Sequence, residues 1–135
     1  MYTLDRKKVY RNIYILESRS WWEDCKPRFD PKVDIVLTYD FALKHEVEQA
    51  GGIALYVDHL VDQLTMQENN YLVYNFFRDW HRDADGKDFF EHRGIPYGFS
   101  FRLEIWNDLI FYARSCLCLE GLRSLEFEAL FVGSH

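Results

Sequence analysis

Three residues whose types suit catalysis, Ser20, Asp40 and His59, each follow an apolar run that reads as a strand. A carboxylate beside an imidazole is the pairing that acid–base chemistry needs, because histidine exchanges its proton near neutral pH. Asp40 and His59 are therefore candidate catalytic groups for a small hydrolase, and Ser20 would complete a Ser-His-Asp set. No Gly-x-Ser-x-Gly nucleophile elbow surrounds any serine, which argues against that triad. The competing reading is structural: Asp40 caps the helix that follows it, and His59 packs with a satisfied hydrogen bond.

A wider set of polar residues follows the same runs: Ser18, Arg19, Ser20, Tyr39, Asp40, Asp58, His59 and Ser134. These are the candidate ligand-binding residues, since open parallel sheets bind ligands beyond the carboxyl ends of their strands. Arg19 and Ser20 would suit a phosphate or carboxylate at a helix start, or serve only as a surface arginine and a cap. The first turn, Glu17-Ser18-Arg19-Ser20, lacks the Gly-x-Gly-x-x-Gly that lets a pyrophosphate approach the backbone, and no P-loop is present. No NAD, FAD or other cofactor is expected.

Two further clusters need weighing. In His81-Arg82-Asp83-Ala84-Asp85-Gly86-Lys87-Asp88, aligning Gly86 with the invariant glycine of a calcium loop puts His81 and His92 at the terminal ligand positions. Those departures favour a solvated turn. His81, Asp83 and His92 have no spacing that fixes a metal geometry, so no metal is expected. Arg78, Asp79, Arg102 and Glu104 lie among aromatics and are expensive to bury unless paired. They form a salt-bridge network between two helices, or they line a pocket where sugars stack on Trp80 or Trp106.

The elements that would position these groups follow from apolar spacing. Asn12–Glu17, Val33–Thr38, Ile53–Val57 and Phe127–Val132 read as short strands, apolar on both faces. A helix is expected from Trp21, with Ser20 as its cap and Glu23 in a capping box, and another over Phe41–Ala50, stopped by Gly51-Gly52. Gln63–Trp80 reads as one or two helices, Phe89–Phe101 as irregular and Leu103–Leu125 as a long helix. Strands alternating with helices predict an α/β, Rossmann-like parallel sheet of about four strands in the order 3-2-1-4, with helices on both faces.

The chain has 135 residues, enough for a single domain over 1–135. It ends directly after a strand, where a loop and helix would normally begin, so an N-terminal fragment of a longer protein is expected. Its 16 basic and 22 acidic residues give a net charge of −6, which argues against nucleic-acid binding. No apolar stretch reaches the ~20 residues of a membrane span, and no signal peptide opens the chain. Cys25, Cys116 and Cys118 form no CxxC pair, and free thiols fit a reducing, cytoplasmic setting. Aromatics make up 18% of the chain, a number that core packing or stacking on a sugar or base would each explain.

Asp34-Ile35-Val36-Leu37-Thr38-Tyr39-Asp40-Phe41, Gly52-Ile53-Ala54-Leu55-Tyr56-Val57-Asp58-His59-Leu60, Phe77-Arg78-Asp79-Trp80-His81 and Phe131-Val132-Gly133-Ser134 together carry a resemblance. They resemble the N-terminal part of bacterial surface-polysaccharide (capsule or lipopolysaccharide) biosynthesis proteins with a GT-B glycosyltransferase-like layout. The resemblance spans most of the chain and rests on strand-and-turn patterns common to Rossmann-like domains. It implies an acceptor-side domain that would meet a sugar or sugar nucleotide and require a C-terminal domain of the same protein, so that this chain alone would be inactive. No catalytic residue carries over, because the matched segments include no catalytic motif. The alternatives are a non-catalytic binding or regulatory α/β module and the Asp40–His59 hydrolase.

Overall fold

The structure, a computed structural model, describes residues 4–133, apart from the side chain of Leu103. Its elements are β1 (Val9–Ile15), α1 (Arg19–Cys25), β2 (Ile35–Thr38), α2 (Phe41–Gln49), β3 (Ile53–Tyr56), α3 (Gln63–Asp79), β4 (Glu91–His92), β5 (Ile95–Pro96), α4 (Tyr97–Gly121) and β6 (Glu126–Val132). The chain divides into two compact units, one comprising residues up to Leu60 and from Cys118 onward, the other Val61–Leu117.

The first unit is the expected parallel sheet. Its four strands run in the order β3-β2-β1-β6 and all pair in parallel. This is the 3-2-1-4 arrangement anticipated from alternation and crossover handedness. The continuous apolar runs of β2 and β3 suit strands covered on both faces. β6, expected to be apolar on both faces, instead keeps Leu130, Phe131 and Val132 exposed at the edge of the sheet. On one face Tyr14, Leu16, Val36 and Ala54 pack with Trp22 of α1 and with Leu43 and Val47 of α2. On the opposite face Ile13, Ile35, Leu37 and Leu55 are equally buried. Tyr14 of β1 stacks on Phe131 of β6 with ring centres 5.1 Å apart, a cross-strand pair that helps hold the register.

The amino ends of the strands are tied by a buried carboxylate. Asp34 is fully inaccessible and accepts hydrogen bonds from the Arg11 guanidinium (2.7 and 3.1 Å), from Asn12 through its backbone and side chain, and from the backbone N–H of Asp30. Burial of a charge is tolerated here because several donors surround it.

Helix ends differ in how local they are. The Gly51-Gly52 stop of α2 forms as expected. Gly51 adopts φ +80°, and the N–H groups of Gly51 and Gly52 return to the carbonyls of Glu48 and Val47. The start of α1 is two residues earlier than its sequence suggests. Ser18, not Ser20, holds the cap position, the two hydroxyls share a 2.9 Å hydrogen bond, and Glu23 pairs with Lys26 rather than closing a capping box.

In the second unit, α3 is one continuous helix opened by Asp62, whose carboxylate accepts from the Thr65 N–H and hydroxyl. α4 begins at Tyr97, not Leu103, because its first turn is held by a distant carboxylate. Asp88 accepts from the N–H groups of Gly98 (3.3 Å) and Phe99 (3.0 Å). Gly98 makes room for this contact, since a Cβ there would lie 2.5 Å from Asp88 Oδ1 and 2.7 Å from His81 Cβ.

Candidate functional site

Strand register decides which polar residues reach the carboxyl edge of the sheet together. Ile15 pairs with Leu37 on one side and with Val132 on the other, and Leu37 pairs with Leu55. Continuing each strand by one residue brings Leu16, Thr38, Tyr56 and Gly133 level. Ser18, Arg19, Ser20, Tyr39, Asp40, Asp58 and His59 then follow at this same edge. Ser134 lies outside the described residues.

Their local partners are specific. Asp40 Oδ1 accepts the Leu43 N–H at 2.8 Å, while the Asp40 N–H donates to Thr38 Oγ1 at 3.0 Å. The carboxylate is therefore the cap of α2. His59 is exposed and meets the Tyr56 ring edge to face at 5.6 Å. Asp58 accepts from the Cys118 thiol at 3.8 Å. Arg19, largely in solvent, pairs through Nε with Glu46 of α2 at 3.1 Å. At this edge Asp40 is engaged in helix capping and Arg19 in an ion pair.

Sequence reasoning missed the feature at the centre of this edge. β1 is flanked by β2 on one side and β6 on the other, so the chain's crossovers leave it in opposite directions and open the crevice between β1 and β6. The half-buried Trp21 of α1 lies over that point. A Cβ on Gly133 would sit 1.8 Å from the indole Cε3, so only glycine lets the ring rest on the end of β6. The Gly133 N–H in turn donates to the Ile15 carbonyl at 3.0 Å. The indole thus covers the end of β6, and it also packs against the core cluster of Tyr14, Trp22 and Leu43. The only sequence signal was a tryptophan in the first turn and a glycine after the last strand, far apart in the chain.

The polar clusters of the second unit also resolve. Asp83 Oδ1 accepts from the N–H groups of Asp85 (2.9 Å) and Lys87 (2.8 Å), closing a turn in which Gly86 adopts φ +79°. His81 is buried against Gly98 and the Phe99 ring. Among the described residues no group of three His, Cys, Asp or Glu side chains is disposed to hold a metal. Arg78 bonds Asp79 beside it at 2.8 Å rather than a residue of the other helix. Arg78 and Arg102 line one cavity with Tyr74 and Trp106.

No family model, curated protein or solved structure matches the chain significantly. Among the described residues no helix is long and apolar enough to cross a membrane, and Cys25, Cys116 and Cys118 form no disulfide.

Proposed function

We propose that the sheet unit is the carbohydrate-holding, acceptor-side domain of a cytoplasmic surface-polysaccharide biosynthesis protein of glycosyltransferase-like layout, without transfer activity of its own. The observation that carries this reading is the Trp21 indole seated on Gly133 at the switch point of the sheet. An indole in that position disfavours a nucleotide donor, which needs bare backbone for its phosphates. It favours a neutral sugar, whose C–H face stacks on an aromatic ring. The hydroxyls of Ser18, Ser20 and Tyr39 and the His59 imidazole follow at the same edge and supply hydrogen-bonding groups for sugar hydroxyls.

The engagement of Asp40 as a helix cap supports holding rather than catalysis, and it also suits a non-catalytic binding module outside carbohydrate synthesis. Titration of the chain with neutral glucose, galactose and N-acetylglucosamine oligosaccharides, followed by the Trp21 indole N–H resonance, separates these readings. Binding that Trp21→Ala weakens by about ten-fold or more supports the acceptor domain. Absence of binding throughout the panel, or equal binding by the variant, removes it. Ester or phosphoester hydrolysis that disappears in His59→Ala would instead establish the hydrolase.

A further inference from the structure

α3 and α4 each carry an aromatic ring and an arginine four residues apart: Tyr74 and Arg78 on the first, Trp106 and Arg102 on the second. Residues at that spacing share a helix face, and all four line one cavity of about 220 Å³. The two rings meet edge to face, with centres 6.0 Å apart and planes at 86°. Trp106 is braced by the buried Phe77, 5.4 Å away. Both cations are oriented: Asp79 accepts the Nε–H of Arg78, and the Arg102 guanidinium lies 4.7 Å from the centre of the Phe99 ring. The bond to Asp79 engages one of the five N–H donors of a guanidinium.

The chemistry of this wall selects its ligand. Two guanidiniums line one cavity of a protein whose net charge is −6, the charge of Arg78 being partly offset by the Asp79 carboxylate beside it. A phosphate monoester carries a charge of about −1.5 to −2 near neutral pH and accepts the paired N–H bonds of a planar guanidinium, so it matches two arginines better than a single carboxylate does. The rings offer surface on which a nucleobase or the apolar face of a sugar stacks. The volume is below the ~300–1,000 Å³ of sites for drug-sized ligands, which favours a small guest.

We infer that this cavity binds a small phosphate monoester that carries a ring for stacking, with Arg78 and Arg102 on the phosphate and Tyr74 and Trp106 against the ring. A sugar phosphate and a mononucleotide share that chemistry. The site uses no residue of the sheet edge and stands or falls apart from the neutral-sugar reading.

Calorimetric titration of the full chain with glucose 6-phosphate, uridine 5′-monophosphate, uridine, glucose and inorganic phosphate tests it. At least one of the two phosphate monoesters binds about ten-fold or more tightly than its unphosphorylated parent and than inorganic phosphate, and the preferred monoester identifies the ring. Arg78→Gln and Arg102→Gln each weaken that binding by about ten-fold, with far-UV circular dichroism unchanged. Trp106→Leu reduces the preference over inorganic phosphate, and Tyr74→Phe, which keeps the ring, retains it. Arg19→Gln, at the sheet edge, leaves it intact. The inference is overturned if neither monoester outbinds its parent, if the folded arginine variants bind normally, or if Arg19→Gln abolishes binding while they do not.

Discussion

In the sheet unit Tyr10, Tyr14 and Trp22 are buried to 2% exposure or less, whereas in Val61–Leu117 Tyr71, Tyr74, Phe76, Phe111 and Tyr112 each keep more than half of their surface in solvent. Phe77 is the one buried apolar side chain of that second unit among the described residues. The same residue class therefore does two jobs. In the sheet, rings fill the space between strands and helices, where apolar burial stabilises by roughly 25 cal/mol per Å². In the second unit ring contacts around Phe77, Trp80 and Trp106 are joined by polar closure, through the carboxylates of Asp62, Asp83 and Asp88 on backbone N–H groups. Rings left at a surface, as in the second unit, remain available for recognition.

Changes at five positions break or sharpen this contrast, beginning with the largest expected effect. Trp22→Ala should cost about 3–5 kcal/mol in chemical denaturation, as expected for removing a large buried ring. Trp22→Phe should cost clearly less, because the buried Trp22 Nε1–H has no acceptor among the described residues and its removal relieves a penalty. Equal losses for the two variants would show that the indole N–H is satisfied after all.

Next, Asp34→Ala should cost about 2–4 kcal/mol by the same measurement, since Arg11, Asn12 and Asp30 lose a shared acceptor. A loss under ~1 kcal/mol would mean that water replaces the carboxylate, and that polar closure counts for little in the sheet unit.

In the second unit, Gly98→Ala should cost about 1–3 kcal/mol through overpacking against Asp88 and His81, read as lost hydrogen-exchange protection in the first turns of α4. Acid should attack the same joint. Desolvation pushes the Asp88 carboxyl up, but the N–H groups of Phe90, Phe99 and Gly98 and the His81 imidazole more than reverse this, leaving it below its ordinary value. A carboxyl depressed in the folded state stabilises fully above its unfolded pKa of about 3.9, and that contribution is lost as pH falls through the lower folded value. Protection in Val61–Leu117 should therefore decline below about pH 4, and less steeply in Asp88→Asn. An unchanged acid profile in that variant would remove Asp88 from the account.

The smallest effect is expected at the sheet edge. Asp40→Ala should cost about 1 kcal/mol, the value of a helix cap, and Asp40→Asn much less. A stabilising Asp40→Ala change would point instead to a carboxylate held under strain for ligand or chemistry.

What the sequence could express was whatever depends on near neighbours and on chain handedness. Continuous apolar runs marked Val33–Thr38 and Ile53–Val57 as strands, close to the observed Ile35–Thr38 and Ile53–Tyr56. Gly51-Gly52 marked a helix end, and crossover rules narrowed the strand orders to a few that include the observed one. Because the strands are parallel, the segments that leave β1, β2 and β3, with Ser18, Tyr39 and Asp58, start from one edge of the sheet. Tertiary structure alone decided contacts between residues far apart in the chain. Asp88 opens α4 from nine residues before its first turn, Trp21 rests on Gly133, and Arg78 and Arg102 line one cavity. Periodicity reports which face of an element is apolar, because that depends on spacing within the element. Which side chain meets that face depends on how separate elements pack, and no local pattern encodes it.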